Sequence, residues 1–409
     1  MSLFESNRSS GGKSALRCGV FSRTVVATML PALIAIALVL AARPARAAIY
    51  QPQSDSEVVE TLINTGTARS EERALRKRLV ANPDDSAVAV ALARRYLEQA
   101  RDQGEPRFAG RALAVLQHWK QTDTAPAEVV LMLATVQQYL HDFDGSAALL
   151  EALVKRDPRQ PQAWLTLATI RRVQGRYAES DAGCHGLAAT GEAFYSQACL
   201  AENLALRGRF EDARKLFQRL LATPQLPAAP RSWLMTSVAE LEMRAGRPRE
   251  AEAGFRAALA TAPDEYTRLT FADFLIANGR QAEVLPLLRN DVRSDPVLLR
   301  LALAEAALKA GPAAADTAEL RARMVQAALR PEARTTHARE QAMFALFVDG
   351  DPQRALQLAR KNVELQREPV DLILLAQVAR AAGSVETLAQ ARKIKTDMGL
   401  SDARLDALL

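Results

Sequence analysis

The sequence predicts an all-α fold, a solenoid of antiparallel helix pairs, from its composition and from two periodic patterns. Hydrophobic residues make up 49% of the 409 residues, but aromatic residues make up only 5%. Such an Ala- and Leu-rich composition favours closely packed helices, because sheets prefer β-branched and aromatic residues. Glycines recur along the chain, and small residues recur at fixed distances from those glycines. Repeats of this length are typical of a stacked array of helix pairs.

The recurring glycines mark reversals between helices. Their spacings run from 32 to 39 residues, and His141 occupies the same position 34 residues before the first of them. The glycines are Gly175, Gly208, Gly246, Gly279, Gly311, Gly350 and Gly383. A glycine at the end of a helix adopts the left-handed backbone conformation that lets the chain reverse into the next helix. We therefore expect one helix before and one helix after each of these turn positions.

Small residues flank the turn positions on both sides. Seven residues before the turn the residue is usually Ala, and five residues after the turn it is often Ser or Ala. The first set is Ala134, Ala168, Ala201, Ala239, Ala272, Ala304 and Ala376, with Met343 as the exception, and the second set is Ser146, Ser180, Ala213, Ala251 and Ala355. Facing small residues let two helices approach closely. Pro158, Pro263 and Pro296, seventeen residues after a turn, are expected to stop the second helix of a pair.

This pattern resembles the tetratricopeptide repeat family. The best match consists of Trp164, Leu167, Ala168, Gly175, Tyr177 and Ser180, and Pro158 closes the repeat before it. The resemblance implies a right-handed superhelical array of about eight to ten repeats. It also implies that the first helix of each pair lines a concave groove in which ligands bind. The matching residues are all structural, so they predict the fold more strongly than the function.

The N-terminus has the layout of an export signal. Basic residues precede an uncharged apolar run, Val25 to Leu40, and a small-residue segment that contains Ala45 and Ala47. We expect cleavage after Ala47, which predicts a periplasmic or secreted protein. The alternative is an inner-membrane anchor through residues 25–42, although this apolar run is slightly short for a membrane span. In that case the leader would be the only contact with the membrane.

Five segments are expected along the chain. These are a signal peptide over residues 1–47, an N-terminal helical segment over 48–83, a diverged first repeat over 84–126, the repeat array over 127–399 and a cap over 400–409. The whole chain has a net charge of +6, but six basic residues and one acid lie in the signal. The remaining 47 basic and 46 acidic residues give a net charge of +1. The high isoelectric point therefore does not indicate a nucleic-acid partner.

No group of residues indicates catalysis or metal binding. The four histidines form no His-x-x-x-His pair, and no Cys-x-x-Cys pair is present. The sequence also lacks a phosphate-binding glycine loop and a Gly-x-Ser-x-Gly nucleophile turn. Cys184 and His185 are adjacent, but neighbouring residues on a helix point in different directions. We therefore predict a protein without catalytic residues, metal or cofactor, which is not an enzyme.

Cys184 and Cys199 are predicted to form a disulfide. Both lie seven to eight residues from an expected reversal near Gly191. In an antiparallel hairpin, residues equally far from the turn lie opposite each other. A disulfide also fits the oxidising compartment of an exported protein. The alternative is a pair of buried thiols packed between helices.

Two rows of residues are predicted on one face of the first helices. Thirteen residues before the turn lies an aromatic row, and six residues before the turn lies an acidic row. The aromatic row is Tyr195, Trp233 and Tyr266, and the acidic row is Glu202, Glu240, Asp273 and Glu305. Positions seven residues apart share one helical face. Given the resemblance, both rows would line the groove.

These rows predict a scaffold that binds a segment of a protein or peptide partner, and the acidic row favours a basic segment. Aromatic side chains would supply buried anchors, and carboxylates would orient the ligand. One alternative is that the acids are solvated and the aromatic rings pack between repeats. The other is an envelope module that binds polysaccharide, with Tyr195, Trp233 and Tyr266 stacking on sugar rings.

Overall fold

The structure is a computed structural model, and it describes residues 66–103, 106–119, 121–309, 315–328 and 337–409. Within these ranges every regular element is a helix, which confirms the predicted all-α class. The signal peptide expected over residues 1–47, the alternative anchor over 25–42 and the turn at Gly311 lie outside the described residues.

Most helices form consecutive antiparallel pairs, so the predicted solenoid is confirmed. The described helices are α1 Gly66–Ala81, α2 Ser86–Gln103, α3 Pro106–Leu116, α4 Ala127–Tyr139, α5 Phe143–Arg156, α6 Pro161–Val173, α7 Tyr177–Ala189, α8 Ala193–Leu206, α9 Phe210–Leu221, α10 Ala228–Arg244, α11 Pro248–Thr261, α12 Glu265–Ala277, α13 Gln281–Leu288, α14 Asp295–Ala307, α15 Ala315–Ala328, α16 Ala338–Phe347, α17 Pro352–Leu365, α18 Pro369–Ala381, α19 Val385–Met398 and α20 Ala403–Asp406. The pairs begin with α2 and α3 and end with α18 and α19, and α20 follows them. We call the members of each pair the first and second helix.

The predicted turn positions adopt left-handed backbone conformations. Gly175, Gly208, Gly246, Gly279, Gly350 and Gly383 have φ angles between 65° and 77°. His141 has a φ of 61°, which confirms that it occupies the same position in the first of these turns. Non-glycine residues rarely adopt this conformation, so the turn geometry is required even where glycine is missing.

Paired helices touch through small residues, among which Ala134, Ser146, Ala168 and Ala239 belong to the predicted pattern. The Ser146 hydroxyl, on a second helix, donates a hydrogen bond of 2.7 Å to the backbone oxygen of Ala134 on the first helix. A Cβ atom at Gly183 would lie 2.9 Å from the Cβ of Ala168. The same distance separates a Cβ at Gly254 from that of Ala239, so larger side chains would force the helices apart.

The expectation that Pro296 stops a second helix is wrong. Pro158 and Pro263 do follow the ends of α5 and α11, but α13 already ends at Leu288. Pro286 lies inside α13 and cannot donate a backbone hydrogen bond, which weakens that helix. Pro296 instead lies in the first turn of α14, where the missing N–H group costs nothing.

The hydrophobic core consists of several clusters, most of which are shared between neighbouring repeats. In one cluster the ring of Phe255 lies 5.6 Å from that of Phe271 and 5.9 Å from that of Phe274, measured between centroids. Phe255 is fully buried between α11 and α12. Each repeat is therefore stabilised mainly by its neighbours, as expected for a solenoid.

The two cysteines of the array lie opposite each other, as their spacing predicts. The Cα atoms of Cys184 and Cys199 are 5.8 Å apart, and their sulfur atoms are at disulfide distance. Both residues are buried beside Ala168. The Ser196 hydroxyl donates a hydrogen bond of 2.8 Å to the backbone oxygen of Cys184, which ties α8 to α7 at the same level.

We predict that reduction of the Cys184–Cys199 disulfide lowers the free energy of unfolding by about 3 kcal/mol, because the bond closes a short loop in the unfolded chain. Urea denaturation with and without reductant measures this difference. The double variant Cys184→Ala/Cys199→Ala is the control and should not respond to reductant. Free thiols at Cys184 and Cys199 in protein purified without reductant would contradict the prediction.

Candidate binding groove

The predicted rows lie on successive first helices. Tyr195 and Glu202 lie on α8, Trp233 and Glu240 on α10, Tyr266 and Asp273 on α12, and Glu305 on α14. Contacts between neighbouring first helices bring several of these residues together. We call the face that carries both rows the row face.

Two residues of the aromatic row are in ring contact. The centroids of Tyr195 and Trp233 are 6.3 Å apart, and their planes are tilted by 40°. Tyr195 is 40% exposed, whereas Trp233 is half-buried and packs against the cluster that contains Phe217. Because the rings are tilted and one is half-buried, they do not form the flat exposed surface that stacking on sugar rings would need.

The third aromatic residue joins the two rows. The Tyr266 hydroxyl donates a hydrogen bond of 2.7 Å to Oε1 of Glu240 on the preceding first helix. The ring of Tyr266 is 58% exposed, so its hydroxyl is fixed while its face stays open to solvent. The charge of Glu240, followed by burial, raises the pKa of this hydroxyl, which keeps Tyr266 protonated as a donor.

Two members of the acidic row pair with arginines of neighbouring first helices. Glu202 accepts from the guanidinium of Arg172 and, at 3.2 Å, from the hydroxyl of Ser237. Asp273 accepts two hydrogen bonds from Arg300, at 2.9 and 2.7 Å. The bidentate pair of Asp273 with Arg300 and the single ion pair of Glu202 with Arg172 neutralise these carboxylates and fix their positions. Much of the negative charge of the acidic row is therefore balanced within the array.

Glu305 stands apart from the other three acids. It accepts a hydrogen bond of 3.1 Å from the hydroxyl of Thr317 on α15. Burial raises the pKa of the Glu305 carboxyl, and its hydrogen bond with Asp316 raises it further. Glu305 thus belongs to a contact within one helix pair and lies apart from the aromatic row.

The environment of Glu240 disfavours its charged form. Burial raises the pKa of the Glu240 carboxyl above its ordinary value, while Arg244 and the hydrogen bond from Tyr266 act in the opposite direction. The nearby charge of Glu202 raises the pKa again. Arg244 is 9% exposed and forms no ion pair or hydrogen bond within the described part of the chain, so its charge acts on Glu240 at longer range.

Arg172, Arg300 and Arg244 were not predicted as part of this face. They lie outside the two sequence positions that define the rows, at other levels of the first helices. Arg172 and Arg300 are separated from their carboxylate partners by 30 and 27 residues. Opposite charges separated by nearly one repeat length are the signal that could have identified them.

Two further features are absent from the described ranges, a group of metal ligands and a membrane-spanning helix. No three of their His, Cys, Asp and Glu residues are grouped closely enough to hold a metal ion. None of the helices in residues 66–409 that the structure describes is both long and apolar enough to cross a membrane.

We predict that Glu240→Gln becomes more stable relative to the wild type as the pH rises from about 4 to about 7. The raised pKa means that the folded chain binds this proton more tightly than the unfolded chain. The resulting stability is fully present below the ordinary value of 4.5 and is lost as the pH rises through the raised pKa. Gln cannot ionise, and its side-chain oxygen can still accept from Tyr266.

Urea denaturation of both proteins at the two pH values measures this effect. Glu250→Gln, at an exposed position on α11, is the matched control for the change in net charge. An equal difference between Glu240→Gln and wild type at both pH values would contradict the assignment.

Comparison with known protein families gives a match over part of the chain. The tetratricopeptide repeat family model matches residues 131–180 and 200–266. The first range runs from α4 to the start of α7, and the second runs from the middle of α8 to the start of α12. They cover four of the predicted turn positions, from His141 to Gly246. No curated protein sequence matches this chain.

Solved structures with the same kind of fold are similar to this chain at low identity. A tetratricopeptide repeat protein from Parabacteroides merdae is 15% identical, covers 59% of this chain and 87% of its own, and has a TM-score of 0.43. TTC0263, a thermophilic protein of Thermus thermophilus, is 20% identical, covers 46% and 97%, and has a TM-score of 0.37. PilW, described as a type IV pilus biogenesis factor, is 15% identical, covers 69% and 97%, and has a TM-score of 0.31.

Proposed function

We propose that this chain is a non-enzymatic scaffold that binds a segment of a partner protein in a groove along the row face, because residues 131–180 and 200–266 match the tetratricopeptide repeat family model. Proteins of this family generally bind other proteins. The observation that carries the proposal is the exposure of two large rings, Tyr195 and Tyr266, on α8 and α12. Most large apolar side chains of the first helices are buried.

The chemistry of this face favours a ligand held by aromatic contacts. Tyrosine offers a wide apolar ring. When its hydroxyl is already hydrogen-bonded, burying it under a ligand costs little desolvation free energy. Tyr195 rests on Trp233 and Tyr266 is fixed by Glu240, so neither ring must be ordered on binding. Glu202 and Asp273 pair with arginines, so they would orient the ligand less than the rings would. Glu240 has no arginine partner among the described residues, so a basic side chain of the partner would be directed to it and would lower the raised pKa of its carboxyl.

We propose that the protein acts outside the cytoplasm, in the periplasm or the cell envelope. The expected signal over residues 1–47 supports this location. A second support is the Cys184–Cys199 pair at disulfide distance, because disulfides persist in oxidising compartments. The array is stabilised by packing between neighbouring repeats, and this packing does not depend on the compartment.

A photo-crosslinking amino acid at position 195 or 266 tests the groove. In intact cells we expect each of these variants to form a covalent adduct with the same partner protein, because both rings are exposed on the same face. Mass spectrometry of the purified adducts identifies the partner and the crosslinked segment. Polysaccharide binding would instead give adducts that carry sugar and no second protein.

Val385 provides the control position. It is 76% exposed on α19, a second helix, so it is more accessible than either tyrosine. Nonspecific crosslinking would therefore be strongest from position 385. If that position captures the same proteins as positions 195 and 266, the groove assignment is wrong.

A further inference from the structure

The segment Gly399–Leu409, together with Met398 before it, lies against the turns of three consecutive helix pairs far away in the sequence. Met398, just before it, contacts the turn at Gly175, where an added Cβ would lie 2.7 Å from the Met398 sulfur. Within the segment, Ser401 and Ala403 approach the next two turns. A Cβ at Gly208 would lie 2.8 Å from that of Ser401, and a Cβ at Gly246 would lie 3.2 Å from that of Ala403.

Backbone hydrogen bonds reinforce these contacts. The N–H group of Ser401 donates to the oxygen of Leu206 at the end of α8, at 2.9 Å. The N–H group of Arg367, before α18, donates to the oxygen of Val173 at the end of α6, at 2.7 Å. Both acceptors are carbonyls that a helix end leaves without an intrahelical partner. N–H groups near the C-terminal end of the array therefore satisfy backbone carbonyls at the ends of α6 and α8.

Apolar burial accompanies the hydrogen bonds. Tyr177 and Leu206 belong to the same buried cluster as Leu400 and Leu405 of the segment. Leu405 is completely buried, although α20 has only four residues. A helix this short has little stability of its own, so its order depends on this contact.

The segment also contacts α10, the first helix that carries Trp233 and Glu240. Arg404 pairs with the buried carboxylate of Asp402, which accepts the Arg404 N–H group at 3.0 Å. The charge of Arg404 lowers the pKa of the Glu240 carboxyl, while burial raises it. The phenol oxygen of Tyr177 is buried in the shared cluster and has no hydrogen-bond partner among the described residues.

We propose that Gly399–Leu409 is an intramolecular latch that holds the array in a closed superhelical turn, and that release of the latch opens the array beside the groove. The contacts with Gly208 and Gly246 fasten the latch to two adjacent repeats at once. Opening requires the loss of α20 and of the contacts that Met398, Arg367 and the shared cluster make with the turns at Gly175 and Gly208, while the other repeat cores stay intact. The latch is independent of the scaffold function, and only its effect on the partner rests on that function.

Substitution of Gly208 by Ala tests the latch, and Gly279→Ala is the matched control. Both glycines have positive φ angles, of 77° and 72°, so both substitutions strain a turn to a similar degree. Only the Cβ at position 208 meets the latch, because nothing lies within 4 Å of a Cβ at position 279. We expect hydrogen exchange of the Ser401 amide to become at least about ten-fold faster in Gly208→Ala than in Gly279→Ala.

A second expected result is a larger radius of gyration of Gly208→Ala in small-angle X-ray scattering. Ser401→Gly removes the atoms that collide, so adding it to Gly208→Ala should restore slow exchange at position 401. Equal exchange in Gly208→Ala and Gly279→Ala would overturn the latch. Faster exchange with an unchanged radius of gyration would overturn its role in holding the array closed.

Leu405→Ala tests the same contact from the side of the latch. This variant leaves every repeat turn unaltered, so it keeps the test decisive if Gly208→Ala does not fold. We expect the same faster exchange at Ser401 and the same expansion. Unchanged exchange in Leu405→Ala would also overturn the proposal. None of these measurements requires the partner protein, so the result does not depend on the groove assignment.

Discussion

The close approach of the two helices in each pair is the constraint on which the structure depends. Ala168 faces Gly183 and Ala239 faces Gly254 at distances that leave no room for larger side chains. Dispersion contacts across such an interface require a fixed rotation of each helix about its axis. Once that rotation is fixed, it determines which side chains of every first helix face the core and which face outward.

The same register explains how the candidate groove is built. Because neighbouring first helices are equivalent, a residue of one repeat meets a defined position of the next, as Tyr266 meets Glu240. Glu202 and Asp273 have become part of such contacts through their arginine partners. The rings of Tyr195 and Tyr266 are left as the exposed features of the face. The rings proposed to recognise a ligand and the residues that join neighbouring repeats therefore occupy adjacent positions on the same helices.

Sequence periodicity predicted the turns and the placement of the two rows on the first helices, because these depend on local backbone conformation and on helical geometry. It also predicted that Cys184 and Cys199 lie opposite each other. Arg172 and Arg300 escaped prediction, because ion pairing between repeats depends on long side chains whose direction the repeat does not specify. The contact of Ser401 with Gly208 could not be predicted either, since it joins distant repeats through the superhelical path of the whole array.

The close approach is tested most directly by Gly254→Ala, with Gly110→Ala as its reference. Both glycines lie within helices, where Ala is favoured by about 1 kcal/mol. An added Cβ has open space at Gly110 but lies 2.9 Å from the Cβ of Ala239 at Gly254. The account predicts that urea denaturation shows a gain in unfolding free energy for Gly110→Ala and a loss for Gly254→Ala. An equal gain in both variants would contradict it.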